Sequence, residues 1–555
     1  MNTLLRYAAV AVTALMTAAC GGGSENGKAG LPFEMPEATL PDIPSHTVNL
    51  TDFGGRGDGV TLNTEAFRKA FEMLAARGGG RLEVPEGVWL TGPIALENNT
   101  ELHVAEGAIV LFSDDRDLYP VIETIFEGRD TYRCQPLLSA FGRHDVAVTG
   151  KGIIDGQGDS WRALKKDKIA PSEWRKVVRK GGVLSADGDT WYPTENFRKG
   201  AEDADQNIAR WAVTKADFES IRDFLRPVMV NFKDCERVLL EDAVFQNSPC
   251  WNIHLVMSSD ITVRRIAVRC PWYAQNGDGI DIESCRNVVL RDSWFDAGDD
   301  AICLKSGKDE DGRRRGVPTE NVLVENCTCF HGHGGFVVGS EMSGGVRNIA
   351  VRDCRFSGTD VGLRFKSTRG RGGVVENIFI ENIAMNDIAT EALLFDLFYG
   401  GKSAVEALED PSGNATTDIA VVKADHTTPQ FRNIRISGVV CRGARRAMLF
   451  NGLPEMNVED VVVSNSSIEA ETGAEINEST RVRLDNVTIT PRTGAALKLN
   501  NVKEVTVTGF HCPTGLKEAL AVTGSRNGSI TIDSNEISAA NSSIADAAAG
   551  MVYFR

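Results

Sequence analysis

Basic residues are in deficit in this 555-residue sequence, which has 60 Lys and Arg against 76 Asp and Glu and a formal net charge of -16. Because nucleic acids are bound by basic surfaces, this deficit argues against nucleic acid as a partner. It does not exclude an acidic ligand that binds at a locally basic site. Beyond residue 30 the sequence also has no apolar run long enough to cross a membrane.

The cysteines lack the spacing of a zinc site. The twelve cysteines form no CxxC pair, and Cys327 and Cys329 are separated by a single residue. Several lie inside apolar stretches, where a free cysteine behaves as a small hydrophobic residue. We therefore predict mostly buried thiols and no metal site.

The first residues, MNTLLRYAAVAVTALMTAAC, predict a secretory signal over residues 1–20, because Arg6 precedes an apolar stretch that ends in small residues. The end of this segment resembles a bacterial lipoprotein cleavage site, with Cys20 as the lipidated residue. A secreted protein without an anchor is the alternative. Residues 21–46 are predicted to form a flexible tether. The pattern predicts export across the inner membrane, with a lipid anchor as the one membrane contact, facing the periplasm or the outer-membrane surface.

From about residue 236 the sequence repeats one phrase, as in RNVVLRDSWFDAGDDAICLKS and RNIAVRDCRFSGTDVGLRFKS, roughly every 23–34 residues. Each phrase contains a short alternating strand, a polar turn and a second apolar strand. No helix-length segment separates the strands, so βαβ units are excluded. Parallel stacking of the phrases buries every apolar face. The sequence predicts an all-β, right-handed parallel β-helix, a single domain over 47–555 with weaker rungs from about 460, and a monomer because both ends look capped.

Two regions depart from the repeat. The segment NTEAFRKAFEMLAARGGG has helical spacing followed by glycines, which predicts a helical cap on the first rung. Residues 160–226 form a charged, tryptophan-containing insertion with no rung pattern, which we expect to project from the coil.

The repeats align on a serine that follows each apolar strand: Ser284, Ser306, Ser340 and Ser367. In this alignment Asp278 stacks on Asp300, and Asp299 lies in line with His333. The two cations of RFK, residues 364–366, follow two rungs further on. Since neighbouring rungs lie about 4.8 Å apart, all these groups fall on one face within roughly 15 Å.

This cluster contains the kinds of side chain that glycosidic bond cleavage requires. Carboxyl groups that repel one another separate their pKa values, which leaves one protonated as an acid and another ionised as a base. Neighbouring cations can bind a substrate carboxylate, so a sugar acid is the predicted substrate. Strict alternation along a β-strand would place the side chains of Asp299 and Asp300 on opposite faces of the sheet. We expect Gly277 and Gly298 to allow a break in this alternation.

Four ordered motifs carry a family resemblance: NGD at 276–278, GDD at 298–300, GHG at 332–334 and RFK at 364–366. From about residue 48 to about residue 460 the sequence resembles glycoside hydrolase family 28, the polygalacturonases, although Gly277 stands where the family usually has threonine. The resemblance implies inverting hydrolysis of the α-1,4-galacturonosyl linkages of polygalacturonate or oligogalacturonides, without metal or other cofactor. The insertion is similar to loops of exo-acting bacterial members that close one end of the groove.

The resemblance also implies a role for each motif residue. Asp299 would be the proton donor to the leaving oxygen. Asp278 and Asp300 would activate the water, and His333 would tune the protonation or position of Asp299. Asn276 would orient the site.

Substrate binding is expected from basic residues around the acids. The resemblance implies that Arg364 and Lys366 hold a galacturonate carboxylate next to the scissile bond. Lys305 neighbours the acids, and it either binds substrate or neutralises local charge. His254 is predicted to line the groove floor. The arginines at 313–315 are expected either to attract a polyanionic chain end or to form a solvated loop.

Two other functions stay open at this point. A calcium-dependent pectate lyase could use the three aspartates, because calcium takes six to eight oxygen ligands. A non-catalytic β-helical glycan-binding protein would use the solenoid as a binding surface. Histidine and two cations beside the acids argue against the first, and the grouping of acids with a histidine argues against the second.

Overall fold

A computed structural model describes residues 33–34, 36–202, 204–205, 207–400 and 421–555. The predicted signal segment, the lipidation site at Cys20 and half of the predicted tether (residues 21–32 and 35) lie outside the described residues.

The described chain winds into a coil of parallel strands that stack in three columns, here called the first, second and third sheets. The first sheet contains Thr47–Asn49, Gly80–Val84, Thr100–Val104, His144–Thr149, Glu236–Glu241, Ser259–Arg264, Arg286–Arg291, Thr319–Glu325, Val346–Arg352, Val505–Thr508, Ile530–Asp533 and Val552–Phe554. The second contains Gly87–Thr91, Ala108–Phe112, Ile153–Asp155, Val244–Gln246, Ala267–Arg269, Trp294–Ala297, Thr328–His331 and Arg355–Ser357. The third contains Ile94–Ala95, Leu138–Phe141, Val230–Lys233, Ile253–Val256, Ile280–Glu283, Asp300–Lys305, Gly334–Val338, Leu363–Lys366, Leu520–Thr523 and Ser542–Ile544. Long strands that run through all three sheets complete the coil: Val374–Asp396, Gln430–Asn451, Val458–Asn477 and Ser479–Asn500. The prediction of a right-handed parallel β-helix is confirmed.

Apolar columns fill the interior of the coil. Ile280 pairs with Ile302, Ile302 with Phe336, and Phe336 with Leu363, in the register predicted from the aligned serines. All four are fully buried. Truncating one such side chain to alanine in a core of this density costs about 2–5 kcal/mol.

A ladder of asparagines holds successive rungs in register. The side-chain amide of Asn321 donates to Asn287, that of Asn348 to Asn321, and that of Asn377 to Asn348, the last at 3.0 Å. Each of these asparagines has a positive φ of 56° to 58°, a backbone conformation that asparagine adopts more readily than most residues. The ladder explains the asparagine that recurs in each repeated phrase.

Helices cover one end of the coil and build the insertion. The helices of the described residues are α1 (Thr64–Ala76), α2 (Pro171–Arg179), α3 (Glu195–Ala201), α4 (Lys215–Glu219) and α5 (Asp309–Arg315). Short 3-10 turns lie at Leu50–Phe53, Arg116–Leu118, Gly158–Ser160, Lys166–Lys168, Arg222–Phe224, Ala539–Asn541 and Asp546–Ala548. The predicted cap is α1, which buries Phe67, Phe71 and Leu74 in the core of the coil. No described helix is long and apolar enough to cross a membrane.

Two antiparallel additions flank the third sheet. One is a hairpin of Val121–Phe126 and Arg129–Cys134. The other is the insertion, whose short strands are Leu164–Lys165, Val183–Leu184, Thr190–Tyr192, Ala204–Asp205 and Ile208–Ala209. Trp161, Phe197 and Phe218 are buried in the same apolar cluster as the coil. The insertion is therefore anchored on the coil near its beginning and in its second half, whereas no residue of α2 in between is buried.

All eleven cysteines of the described residues are buried free thiols, as predicted.

Candidate active site

A cavity of about 360 Å³ lies on the third sheet, at the low end of the ~300–1,000 Å³ that small-molecule sites occupy. The residues predicted from the sequence that line it are Asn276, Asp278, Asp299, Asp300, Lys305, His333, Arg364 and Lys366. The rungs therefore bring together every predicted catalytic and substrate-binding residue except His254.

The three aspartates form the centre of the cavity. A carboxylate oxygen from each of Asp278, Asp299 and Asp300 lies within 4.8 Å of the others. Asp278 and Asp300 are buried, whereas the side chain of Asp299 is 22% exposed and faces the cleft. His333 Nδ1 lies 3.3 Å from Asp299 Oδ1, and this contact raises the pKa of the imidazole.

Two cations hold Asp300 in its ionised form. Lys366 Nζ lies 2.7 Å from Asp300 Oδ2, and Arg364 Nη1 lies 3.1 Å from Oδ1. Burial opposes ionisation of this carboxyl, but the two cations outweigh it and hold the pKa of Asp300 well below its usual range.

Asp278 has the opposite electrostatic environment. Burial raises its pKa well above the usual range, and the charges of Asp281 and Asp299 raise it further. The nearest cation is Lys305, whose Nζ lies 3.5 Å from Asp278 but 2.7 Å from Asp281. Burial, partly offset by Lys305, raises the pKa of Asp281 to about 6. The site therefore pairs Asp278, whose ionisation is opposed by burial and by neighbouring charges, with Asp300, whose ionised form is held by two cations, and acid–base chemistry requires such a separation of pKa values.

The glycines beside the aspartates act through close packing and not through unusual dihedral angles. Neither Gly277 nor Gly298 has a positive φ, so they do not act through a left-handed backbone conformation. A Cβ on Gly298 would lie 2.5 Å from the carbonyl oxygen of Ala274, which only glycine avoids. The turn itself is made by Asn276, which has a φ of 53°.

His254 does not reach the cavity, which corrects its predicted role. Its side chain is fully buried beneath Trp251, with the two rings edge to face at 4.9 Å. His254 Nε2 lies 2.8 Å from Glu283, and its other ring nitrogen contacts Asn231. Lys305 Nζ lies above Trp251, 3.6 Å from the ring centroid. The histidine thus supports the floor from below.

The arginine run at 313–315 binds the protein itself and does not line the cavity. Arg313 donates to the carbonyl oxygens of residues 370 and 371. Arg314 and Arg315 pair with Asp130 of the hairpin at 2.8 and 2.9 Å. Arg314 and Arg315 therefore hold α5 against the hairpin, and Arg313 holds it against residues 370–371. Arg314 is also largely exposed to solvent.

Several lining residues were not found from the sequence: Glu127, Asn207, Trp251, Gln275, Glu341 and Tyr399. Glu341 directly follows Ser340, one of the aligned serines, so the alignment of the repeats could have predicted its position next to the site. Burial opposes its ionisation, but Lys305 and Lys366 lower its pKa to about 2. Glu127 and Asn207 lie on the hairpin and the insertion, where the rung pattern gives no register.

The fold and the acid cluster define a glycoside hydrolase built on a parallel β-helix. The family described as Glycosyl hydrolases family 28 matches residues 168–437. An exopolygalacturonase structure from Thermotoga maritima is 32% identical, with a TM-score of 0.63, over 81% of this chain and 93% of that one. The chain belongs to glycoside hydrolase family 28, which confirms the family predicted from the motifs.

Two sequence relatives have related names. An exo-poly-alpha-D-galacturonosidase of Dickeya chrysanthemi is 27% identical over 85% of this chain and 75% of its own length. A probable polygalacturonase of Vitis vinifera is 31% identical over 64% of this chain. The match spans 63% of the length of the Vitis protein.

Proposed function

We propose that this chain is an exo-acting polygalacturonase, which hydrolyses the α-1,4-galacturonosyl linkages of polygalacturonate or oligogalacturonides with inversion of configuration. The observation that carries the proposal is the pairing of Asp299, open to the cleft, with Asp300, held ionised by Lys366 and Arg364. The basic groups on a cavity of otherwise acidic residues favour an anionic sugar.

Asp299 is the proton donor in this proposal. It is the most exposed of the three aspartates and is the one that faces the leaving group from the cleft. His333, whose pKa is raised by Asp299, keeps a positive charge beside it after the proton has left. This stabilises the carboxylate that forms when the glycosidic oxygen takes the proton.

Asp300 is the base in this proposal, and Asp278 is the second carboxyl group that contacts the attacking water. Asp300 is held in its ionised form by Lys366 and Arg364 and is able to accept a proton, whereas the raised pKa of Asp278 favours its protonated form, which donates a hydrogen bond. One water held between these carboxyl groups would lose its proton to Asp300 as its oxygen attacks the anomeric carbon. Arg364 and Lys366 would then bind the carboxylate of the sugar beside the scissile bond.

Exo action follows from the walls of the cavity. Glu127 from the hairpin and Asn207 from the insertion line it, and both are buried. A polymer threaded through an open groove would need this space. The names of the Thermotoga and Dickeya relatives support the same mode of action.

A calcium-dependent lyase fits the site less well. The three aspartates cluster closely enough to bind a cation. Calcium takes six to eight oxygens, but both oxygens of Asp300 already contact Arg364 and Lys366, and Lys305 lies against Asp278. The cations beside Asp300 and Asp278 therefore occupy the place that a calcium ion would need.

We also propose that the protein is exported and lipid-anchored through Cys20, as a monomer in the periplasm or on the outer-membrane surface. Support comes from the signal-like segment at residues 1–20 and from the small residues before Cys20. Radiolabelled-lipid incorporation into the wild type but not into Cys20→Ser tests the anchor, and light scattering of the soluble form tests the monomer.

The test of the activity is a product time course from polygalacturonate in EDTA, resolved by chain length, with viscosity followed in parallel. An exo-hydrolase releases small saturated products while the viscosity falls slowly. A ladder of intermediate oligomers would refute exo action. Products with unsaturated ends, formed only when calcium is added, would refute hydrolysis.

A further inference from the structure

Glu127 is held at the tip of the hairpin that overhangs the third sheet. The strands Val121–Phe126 and Arg129–Cys134 are joined by Glu127 and Gly128, with φ values of 47° and 72°. Two central residues with positive φ form the type I′ turn that matches the twist of paired strands. The backbone therefore fixes the direction of the Glu127 side chain.

The tip of this hairpin is fixed to the loop that carries α5. The backbone N–H of Lys308 donates to the carbonyl oxygen of Gly128 at 2.9 Å, and Arg129 pairs with Asp309 at 2.8 Å. A Cβ on Gly128 would lie 2.5 Å from the Lys308 nitrogen, so this approach requires glycine. The arginines at 314–315 add their pairs with Asp130. The tip is thus a rigid wall of the cavity.

The carboxyl of Glu127 is buried and half satisfied. Its side-chain oxygen Oε1 accepts a hydrogen bond from Asn207 at 2.6 Å, whereas Oε2 is buried and has no hydrogen-bond partner among the described residues. The residue itself lines the cavity. The residue is only 3% exposed. A buried polar atom without a partner destabilises the protein, and a hydrogen bond from a ligand would remove that cost.

Asn207 is itself held in place by two arginines. Arg226 donates to the Asn207 side-chain oxygen at 2.7 Å and to that of Asn276 at 2.9 Å. Arg133 donates to the backbone oxygen of Asn207 at 3.0 Å. The wall made by Glu127 and Asn207 is therefore connected to the asparagine next to catalytic Asp278.

Glu127 lies across the sheet from the proton donor. Its neighbours Lys308 and Glu341 follow the strands of the third sheet, whereas Asp299 and His333 precede them. A sugar whose scissile bond is at Asp299 would therefore extend toward Glu127. Because a second carboxylate would repel a uronate carboxylate, the group that suits Glu127 is a hydroxyl, which can donate and accept.

We propose that Glu127 binds the free hydroxyl at C4 of the non-reducing terminal galacturonate, and so determines that the enzyme acts on chain ends. An internal sugar carries another sugar on that oxygen and would meet the buried wall. Burial raises the pKa of Glu127, and a hydroxyl satisfies either protonation state. This inference rests on the proposed exo-hydrolase function.

The test compares two trigalacturonates, one saturated and one with a 4,5-unsaturated terminal sugar, which lacks the C4 hydroxyl. We expect kcat/KM of the wild type to favour the saturated substrate by about 100-fold or more, because a site built to bind a hydroxyl rejects the analogue without it. In Glu127→Ala this ratio should fall to within about threefold, and in Glu127→Gln to an intermediate value. Glu123→Gln, on the same hairpin but exposed, is the matched control and should keep the wild-type ratio.

A ratio of two rates does not depend on the fraction of folded enzyme, so a poorly folding variant still gives an answer. The altered ring shape of the unsaturated sugar affects wild type and variant alike, so only the difference between them counts. A wild-type ratio near one, or an unchanged ratio in Glu127→Ala, would overturn the inference while leaving the hydrolase intact. Failure to cleave either substrate would instead refute the proposed function.

Discussion

Lys366 Nζ lies 2.7 Å from Asp300 Oδ2, although 66 residues separate the two along the chain. Stacking brings them together, because Asp300–Lys305 pairs with Gly334–Val338, which pairs with Leu363–Lys366. Both side chains are buried, so the pair acts in a medium that screens it little. The chemistry proposed for Asp300 depends on this contact.

Replacing Lys366 by Met should shift the acid limb of the pH profile. Without the cation, burial dominates and the pKa of Asp300 rises, by about 1–3 units for the loss of one close opposite charge. Since the base must be ionised, the pH at which kcat/KM is half-maximal on the acid side should move upward. Lys366→Arg keeps the charge and should move the limb less. A limb that stays in place in Lys366→Met, with only a lower maximum, would contradict the assignment of Asp300 as the base.

Replacing Asp299 by Asn should abolish turnover and leave binding intact. Loss of a general acid lowers kcat by about 10²–10⁴-fold, whereas Asn keeps the shape of the side chain. Calorimetry with trigalacturonate should give a Kd close to that of the wild type. The control is Asp296→Asn, three residues earlier, whose carboxylate pairs with His331. Undiminished turnover in Asp299→Asn would favour a site that only binds glycans.

The rung register explains how much of the site was predictable. Once the repeats are aligned on their serines, the strand pairing of Asp300 with Gly334 places Asp299 beside His333. Parallel stacking turns a sequence alignment directly into neighbours in space, because each rung repeats the last at a fixed spacing. The cluster of acids, histidine and cations therefore needed no tertiary information beyond the repeat.

Residues outside the repeat could not be placed in this way. Glu127 follows an alternating strand and precedes a glycine, a pattern typical of a hairpin turn. That pattern does not say that the tip lies against Lys308, 180 residues further along the chain. His254 was misplaced for a related reason. Its strand was assigned correctly, but the sequence did not show that Trp251 covers it.

His254→Phe should reduce stability without changing substrate affinity. Both His254 and Glu283 are fully buried and contact at 2.8 Å, so the substitution leaves the Glu283 carboxyl buried without this partner. The cost is about 3 kcal/mol, and the thermal midpoint should fall. KM for trigalacturonate should stay within about twofold, because the ring has no surface in the cavity. A several-fold rise in KM at an unchanged midpoint would restore His254 to the binding site.

The first product released should have the inverted, β-anomeric configuration. One oxygen from each of the three carboxyl groups lies within 4.8 Å of the others, closer than the roughly 6.5–9.5 Å that separates the carboxyl groups of most inverting pairs. A retaining mechanism would need one carboxylate free to attack the anomeric carbon. Asp300 is instead bound at both oxygens by Arg364 and Lys366, and burial raises the pKa of Asp278 well above its usual range, so neither is a good nucleophile.

Proton NMR at early times, before the product mutarotates, measures this configuration. If the α-anomer forms first, one of these carboxylates must bond to the sugar, and mass spectrometry of rapidly quenched enzyme would find the adduct. If the β-anomer forms first, a single displacement by water is sufficient. The short distance between the carboxyl groups then means that the acid and the base lie close together in the cleft.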